Sequence, residues 1–373
     1  MPSQPPMLAA DLAQIAERGR ALILSLQDPS GAYPASPTFS AYRGYSWLRD
    51  GSFIADAMSA AGETASASAF FGWCARALVA RAPDIHRIVA AADAGTPVAD
   101  REMLPTRFTL DGAAGDAEWW DFQLDGYGLW LWAALTHAER HDLDVTPWRR
   151  AIELTVDYLI ASWDRPCYDW WEEHVEEVHV STLGSIEAGL RAAARSEQVG
   201  PDRRRAAAET ADAAARLVRE RGTVDRRLVK WIGSTAVDAS LAALIAPLRV
   251  VPGDSDLGRA TLAELERQLV VEGGTHRFTT DTYYGGGQWP LLSCFIGLAH
   301  VDAGDSVRSR ELLEWAAGTV RESGTMPEQV ADHLIDPSFV DEWVQRWGTS
   351  ADPLLWSHAM FLRLAVELGL VTR

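Results

Sequence analysis

Apolar residues recur at helical spacing along most of the chain, and this periodicity is the feature that most limits its possible folds. In the first such segment Leu8, Leu12, Ile15 and Leu22 fall on one helical face. Pro83 is expected to break the third segment. The pattern as a whole predicts an all-α chain of twelve helices, near residues 8–27, 50–61, 63–95, 124–139, 147–162, 179–197, 201–220, 235–246, 257–270, 288–304, 305–321 and 352–368.

The connections between these helices fall into two classes. The connections from an even-numbered helix to the next odd-numbered one (even-to-odd), such as 61–63 and 198–200, are short and have few aromatic residues. The odd-to-even connections are rich in aromatic and charged residues, in stretches 45–50, 119–126, 170–173, 230–233, 277–289 and 327–329. Because helices joined by short turns pack as antiparallel neighbours, all odd-to-even loops would emerge at one end of the assembly. We therefore expect an (α/α)6 barrel of six helical hairpins, with the even-numbered helices inside; a helical solenoid or bundle is the alternative.

Few other elements are expected. Strand signals are confined to short pieces such as residues 107–110, which precede Asp111-Gly112 and predict a small hairpin. No linker rich in Pro, Gly or Ser divides the chain, so residues 1–373 are expected to form a single domain.

Charge and cysteine content exclude several classes of function. A net charge of -18 disfavours nucleic acid and anionic membranes as partners, since both are polyanionic. No run of about 18 apolar residues predicts a membrane span. Three widely spaced cysteines suggest neither a disulfide framework nor a metal site, and a reducing cytoplasm fits best. No cofactor is expected, since Gly285-Gly286-Gly287 lacks the features of a phosphate loop and His174 to His179 lacks a zinc-site pattern.

One stretch combines tryptophans with paired carboxylates: Trp170 and Trp171 directly precede Glu172 and Glu173. Apolar surroundings raise the pKa of a carboxyl group, as a general acid working near neutral pH requires. Indole rings also offer large rigid platforms for the C–H faces of a sugar. We expect Glu172 to be such an acid, with Glu328 as its distant partner. The alternative is a solvated acidic turn.

The motifs in these loops, taken together, resemble glycoside hydrolase family 15, the glucoamylase-like enzymes. Six of them occur in the family's order along almost the whole chain: Tyr45-x-Trp47-x-Arg49-Asp50, Trp119-x3-Gln123-x-Asp125-Gly126, Tyr168-Asp169-x-Trp171-Glu172-Glu173, Arg277-Phe278-x2-Asp281-Thr282-Tyr283-Tyr284 with Trp289, Pro327-Glu328-Gln329, and Leu355-Trp356-Ser357.

The resemblance implies a role for each matching residue. Glu172 would be the general acid and Glu328 the general base of an inverting mechanism. Arg49 and Asp50 would bind the 4- and 6-hydroxyls of the terminal glucose, and Glu173 would hold hydroxyls near the cleaved bond. The subsites would be shaped by Tyr45, Trp47, Trp119, Trp171, Tyr283 and Trp289. Arg277 would contact the sugar beyond the cleaved bond, and Trp356 would pack near the base. Asp125, in the second motif, would also bind substrate.

The implied substrate is a short oligosaccharide. Small single-domain members of the family resemble enzymes that release glucose from the non-reducing end of isomaltose and related α-1,6-linked sugars. An α-1,4 exo-glucosidase and a trehalase are the nearest alternatives. More distant ones are a sugar 2-epimerase, for which His174 and His179 would be candidate residues, and a non-catalytic sugar-binding protein. The segment from Ala331 to Ser350 has no assigned role.

Overall fold

Helices form most of the structure, a computed structural model that describes residues 7–371. Within that range the α-helices, in chain order, are α1 Ala9–Leu26, α2 Leu48–Ala60, α3 Thr64–Ala80, α4 Ala82–Asp93, α5 Asp125–His141, α6 Arg149–Ser162, α7 Val180–Arg195, α8 Pro201–Arg221, α9 Ala242–Ile245, α10 Asp256–Leu269, α11 Pro290–Asp302, α12 Ser306–Gly318, α13 Val340–Trp347 and α14 Leu355–Glu367.

Six of these helices form a closed inner ring. Helix α2 packs on α5, α5 on α7, α7 on α9, α9 on α11, α11 on α14, and α14 returns to α2. The inner helices are buried on most of their surface, and every residue of α2 is buried. Outer helices such as α8 bury only one stripe, as expected for helices with one face in solvent. This closed ring confirms the predicted (α/α)6 barrel.

Two glycines allow α5 and α7 to pack backbone against backbone. A Cβ atom on Gly128 would lie 2.4 Å from the carbonyl oxygen of Ser185, and one on Gly189 would lie 2.3 Å from the carbonyl oxygen of Gly128. Such distances are too short for any other residue. The two helices therefore depend on glycine at these positions.

The observed helices match one predicted break and differ from the prediction in two places. The third predicted helix is interrupted at Arg81 and resumes as α4, which carries Pro83 in its first turn, as the sequence predicted. The prediction of a helix over 235–246 was wrong in length, since only α9 is α-helical there. The missing part is at its start, where Asp238 is extended and its side chain accepts the Ser240 N–H. Helix α13 was not predicted.

The strands are short and lie between the helices. The predicted hairpin at 107–110 was wrong: β2 (Arg107–Thr109) pairs instead with β1 (Tyr45–Trp47), antiparallel, with Trp47 opposite Arg107. This pairing joins the loops of the first two helical hairpins. The other strands form two-residue ribbons, β3 Thr223–Val224 with β4 Arg227–Leu228 and β5 Val270–Val271 with β6 Gly274–Thr275.

Across residues 7–371, no helix combines the length and apolar character needed to cross a lipid bilayer.

Candidate active site

A cavity of about 290 Å³ opens at the end of the barrel where the odd-to-even loops emerge. Both predicted catalytic carboxylates, Glu172 and Glu328, line it. Ten of the predicted substrate-binding residues also line it, namely Trp47, Arg49, Asp50, Trp119, Trp171, Glu173, Arg277, Tyr283, Trp289 and Trp356. The two that do not are Tyr45 and Asp125, which lie behind lining residues.

The loop that carries Glu172 is folded around Asp169. One carboxylate oxygen of Asp169 accepts hydrogen bonds from the backbone N–H groups of Trp171 and Glu173, each at 2.9 Å. The Gln123 amide donates to the Asp169 carbonyl oxygen at 2.6 Å. These bonds give the backbone an alternative to helix and hold the loop in a tight turn.

Lys230, the only lysine in the sequence, contacts the same loop through Asp169. Its ammonium group lies 3.5 Å from Asp169 and 3.1 Å from Asp238, and all three side chains are buried. Asp238 also accepts the indole N–H of Trp171 at 3.0 Å. The fourth hairpin thus contributes no lining residue but holds Trp171, the residue that precedes Glu172.

Glu172 has an unusual backbone conformation and an unusual pKa. Its φ of 59° lies in the left-handed region, which costs a residue with a side chain roughly 1 kcal/mol or more and is concentrated at functional sites. The pKa of Glu172 is raised to about 7, chiefly by loss of contact with water; Arg49 opposes the rise, and nearby Asp50 adds to it. A carboxyl group with this pKa can hold a proton near neutral pH and give it up during a reaction.

Arg49 connects the charged groups at the inner end of the cavity. Its guanidinium donates to Glu172 at 3.2 Å, to Gln123 at 2.7 Å and to Asp125 at 3.2 Å, and lies 3.4 Å from Asp50. Burial raises the pKa of Asp50 to about 6, against the opposing effect of Arg49. Asp125 therefore orients Arg49, while Arg49 and Asp50 present donors and acceptors to the cavity.

Glu328 lies across the cavity in a loop fixed by backbone contacts. Its N–H donates to the Ala351 carbonyl at 2.8 Å, and Val330 exchanges backbone hydrogen bonds with Gln288. The Tyr42 phenol donates to Glu328 Oε1 at 2.9 Å. Burial raises the pKa of Glu328 to about 7, although the Tyr42 hydrogen bond and Arg277 lower it.

Arg277 forms one side wall with its neighbours. It is paired with Asp281 through two guanidinium nitrogens and reaches Glu173 at 3.4 Å. The guanidinium also lies over the rings of Trp171 and Trp289, at 5.2 and 5.5 Å from their centroids. Burial raises the pKa of Glu173, with Arg277 opposing the rise.

Tyr45 acts on the opposite wall without reaching the cavity. The Arg107 guanidinium lies between the rings of Tyr45 and Trp119, 3.8 and 4.1 Å from their centroids. Arg107 also donates to the Ala41 carbonyl at 2.9 Å. The β1–β2 pairing positions this sandwich, so Tyr45 supports Trp119, which lines the cavity.

Several polar atoms of lining residues have no hydrogen-bond partner within residues 7–371. They include Glu328 Oε2 and the indole nitrogens of Trp47 and Trp289. Each buried polar group without a partner costs about 1–3 kcal/mol. Such a set of donors and acceptors between aromatic rings is suited to a ligand that carries many hydroxyl groups.

Sequence reasoning missed nine lining residues, five of them tryptophan or tyrosine: Tyr42, Trp120, Trp170, Trp343 and Trp347. Trp120 and Trp170 adjoin residues that were predicted, so their pairing as Trp-Trp was the available signal. Tyr42 lies in an irregular turn outside every quoted motif. Trp343 and Trp347 lie on α13, in the segment to which no role was assigned.

A larger cavity, about 640 Å³, lies at the opposite end of the barrel. Its lining carboxylates and arginines bind one another: Asp56 accepts from Arg140 at 2.8 Å and from Arg363 at 2.9 Å, and Glu187 accepts from Arg191 at 3.0 Å. These groups form an ion-pair network around the C-terminal ends of the inner helices. Neither carboxylate predicted to be catalytic lines this cavity.

The histidines considered for an epimerase also lie away from the lining of the smaller cavity. His174 and His179 pack on Trp231 with ring centroids 4.9 and 6.0 Å apart, and the His179 ring bonds to the His174 carbonyl. They stabilise the loop after Glu173.

Comparison with known proteins agrees with this arrangement. Residues 14–304 match the family described as Glycosyl hydrolases family 15. The chain belongs to glycosyl hydrolase family 15. It is therefore a glycoside hydrolase by family, and the matched range contains every predicted site residue except Glu328 and Trp356.

Relatives of the whole chain cover those two residues. The family 15 chain is 51% identical to isomaltose glucohydrolase from Kribbella flavida over 365 residues, which are 97% of this chain and 94% of that protein. Among solved structures, a glutamate-to-alanine variant of a glycosidase in complex with glucose has a TM-score of 0.95 at 50% identity, covering 98% of each chain. Glucoamylase from Saccharomycopsis fibuligera has a TM-score of 0.73 at 15% identity, covering 99% of this chain and 98% of that one, which shows a shared fold.

Proposed function

We propose that this protein removes single glucose units from the non-reducing end of short α-glucosides, and that isomaltose and isomalto-oligosaccharides are its main substrates. The observation that carries the proposal is the pair of carboxyl groups, Glu172 (half-buried) and Glu328 (buried), which come from different loops and line one tryptophan-walled cavity. The α-1,6 preference is supported by the 51% identity to a protein named isomaltose glucohydrolase.

In this proposal Glu172 protonates the glycosidic oxygen as the bond breaks. At the same time Glu328, in its ionised form, takes a proton from a water molecule that attacks the anomeric carbon from the opposite face of the ring. The product is β-glucose, because the configuration inverts. The two carboxyl groups would be separated by roughly 6.5–9.5 Å to leave room for that water.

Arg49 and Asp50 would bind the outermost hydroxyls of the terminal glucose. A guanidinium and a carboxylate side by side can satisfy the donors and acceptors of neighbouring hydroxyls. Asp125 would hold Arg49 in place from behind through its hydrogen bond at 3.2 Å. Binding at this inner end would place the terminal ring first and so make the enzyme exo-acting.

The aromatic residues would supply the apolar contacts. Trp47, Trp119, Trp171, Tyr283, Trp289 and Trp356 line the cavity and would pack on the C–H faces of the sugar. Glu173 and Arg277, which contact each other, would bind hydroxyls on the far side of the cleaved bond, and Tyr45 would act through Arg107 and Trp119.

A panel of glucose disaccharides with every α linkage tests the substrate assignment. We expect the fastest release of glucose from isomaltose, with maltose and trehalose much slower, and β-glucose as the first anomer seen by NMR. A preference for maltose would identify an α-1,4 exo-glucosidase, and a preference for trehalose would identify a trehalase. Initial release of α-glucose would refute the inverting mechanism.

We also propose that residues 1–373 form a single domain located in the cytoplasm. The barrel closes only when α14, near the end of the chain, packs on α2 near its start. Cys74, Cys167 and Cys294 are buried free thiols, which fits a reducing compartment. Limited proteolysis without a smaller stable core, and cell fractionation, would test these two points.

A further inference from the structure

Helix α13, Val340–Trp347, lies beside the outer part of the cavity with one face toward it. Trp343 and Trp347 are spaced by four residues, so they share a helical face, and both line the cavity. The other face carries exposed side chains, among them Asp341, Glu342 and Gln345. An eight-residue helix of this kind would be marginal by itself, so its position must come from tertiary contacts.

On one side α13 is attached to the loop of the fifth hairpin. The Trp343 ring lies 4.9 Å from that of Tyr283 and 6.2 Å from that of Tyr284, between centroids. The Tyr284 phenol donates to the Gly348 carbonyl at 2.8 Å. Val340 packs so closely on Gly285 that a Cβ there would come within 2.9 Å of its side chain.

On the other side α13 reaches the loops of the first two hairpins. The Trp347 ring is 6.3 Å from that of Trp119, and the Arg346 guanidinium lies over Trp120 at 5.4 Å. The Ser40 hydroxyl donates to the Trp347 carbonyl at 3.3 Å. The helix therefore bridges two opposite walls of the cavity.

We propose that α13 sets the length of the substrate: Trp343 and Trp347, together with Trp120, hold the second sugar ring, and the helix itself blocks a third. This inference rests on the proposed function. If the terminal glucose lies at the inner end beside Arg49, the sugar that leaves must point outward, toward these three half-buried tryptophans.

Cavity size supports the limit of two rings. At about 290 Å³ the cavity is at the small end of the roughly 300–1,000 Å³ range of ligand sites. Indole rings could hold a sugar ring of either linkage by its C–H faces, so α13 would determine length, whereas other residues would select the linkage.

The main test compares kcat/KM for isomaltose and isomaltotriose. We expect the unmodified enzyme to favour isomaltose by at least tenfold. Replacing residues 340–348 with a short Gly-Ser linker should raise the isomaltotriose-to-isomaltose ratio by tenfold or more. Trp347→Ala should lower kcat/KM for isomaltose by about three- to tenfold, mainly through KM, because one aromatic contact is lost.

Two further measurements separate the loss of a sugar contact from general damage. α-Glucosyl fluoride has no second ring, so Trp347→Ala should reduce its hydrolysis much less than that of isomaltose. Arg346→Ala, at an exposed position, should loosen the contact with Trp120 and shift the ratio in the same direction as the linker variant. Gln345→Ala, on the outer face of α13, is the matched control. It should change neither the isomaltotriose-to-isomaltose ratio of kcat/KM nor the melting temperature.

The outcomes distinguish this inference from the function on which it rests. If the unmodified enzyme hydrolyses isomaltose but the ratio stays the same in the linker variant, Trp347→Ala and Arg346→Ala, then α13 does not limit substrate length. Equal rates on the two substrates in the unmodified enzyme would overturn it as well. Failure of the unmodified enzyme to hydrolyse any α-1,6 disaccharide would instead refute the proposed function.

Discussion

Replacing Glu172 with glutamine tests the proposed acid directly, because the structure indicates how much the replacement should cost. A carboxyl group at the ordinary pKa of 4.5 would be protonated in well under 1% of molecules at pH 7, whereas a pKa of about 7 gives about half, a gain of roughly a hundredfold. Removing a well-placed general acid costs about 10²–10⁴ in rate, or about 3–5 kcal/mol. We expect kcat/KM for isomaltose to fall by that factor in Glu172→Gln.

The loss should depend on the leaving group. Fluoride leaves with little need for a proton, so α-glucosyl fluoride should lose less than tenfold in the same variant. Glutamine keeps an oxygen that can accept the hydrogen bond from Arg49, so folding and isomaltose binding should be preserved, as measured by thermal unfolding and titration calorimetry. Glu176→Gln, an exposed change in the same loop, is the control and should retain full activity.

Two results would refute the assignment. One is a Glu172→Gln enzyme that keeps more than a tenth of its isomaltose activity. The other is an equal loss on isomaltose and α-glucosyl fluoride, because an acid catalyst must matter more for the poorer leaving group. The wild-type pH profile offers a further check: activity that needs protonated Glu172 should fall as pH rises through about 7.

Three other predictions follow from individual contacts. Because Glu328 must be ionised and burial raises its pKa to about 7, the kcat/KM of the wild-type enzyme should fall as pH drops below that value. In Glu328→Ala this acidic limb of the pH–rate profile should disappear, and the rate should be at least a hundredfold lower. Asp56→Ala should destabilise the fold by about 3–5 kcal/mol in urea unfolding, because two arginines lose their shared buried carboxylate. Gly128→Ala should lower stability by about 1–3 kcal/mol, seen as a lower melting temperature, since its Cβ would meet the backbone of α7.

The barrel could be predicted because its helices carry two different patterns. Outer helices such as α8 bury a single apolar stripe, whereas inner helices such as α11 are apolar nearly all round. The alternation of rich and plain loops then fixed which ends meet. What the periodicity could not give was the pairing of β1 with β2, because their contact spans some 60 residues and neither strand has an alternating pattern long enough to indicate its partner.

The helix predicted at 235–246 failed for a reason visible only in three dimensions. Asp238 bonds to Trp171 and lies beside Lys230, and its carboxylate also accepts the Ser240 N–H. These contacts hold residues before 239 in an extended path that a helix would not allow. Helix α13 was missed for the opposite reason, since eight residues are too few for a periodic pattern to stand out.

Candidate site residues were found where they belonged to a motif and missed where they did not. Twelve predicted residues line the cavity because each motif lies in a loop at the same end of the barrel. Tyr42 has no such motif, yet its phenol bonds Glu328, and its position depends on a turn whose shape local sequence does not specify. The roles of all these residues stay predictions until variants are measured.

Burial raises the pKa of both carboxyl groups to about 7, so the difference between acid and base must come from their partners. Arg49 contacts Glu172, but it also contacts Asp50 and Asp125, so its positive charge is divided among three carboxyl groups. Asp50 in addition raises the pKa of Glu172. The hydrogen bond of Glu328, in contrast, comes from a phenol that donates its proton and so favours the ionised carboxylate. If Glu172 is the acid and Glu328 the base, as proposed, the shared Arg49 charge and the phenol hydrogen bond would leave Glu172 the more easily protonated of the two, which is the division of roles that inverting hydrolysis requires.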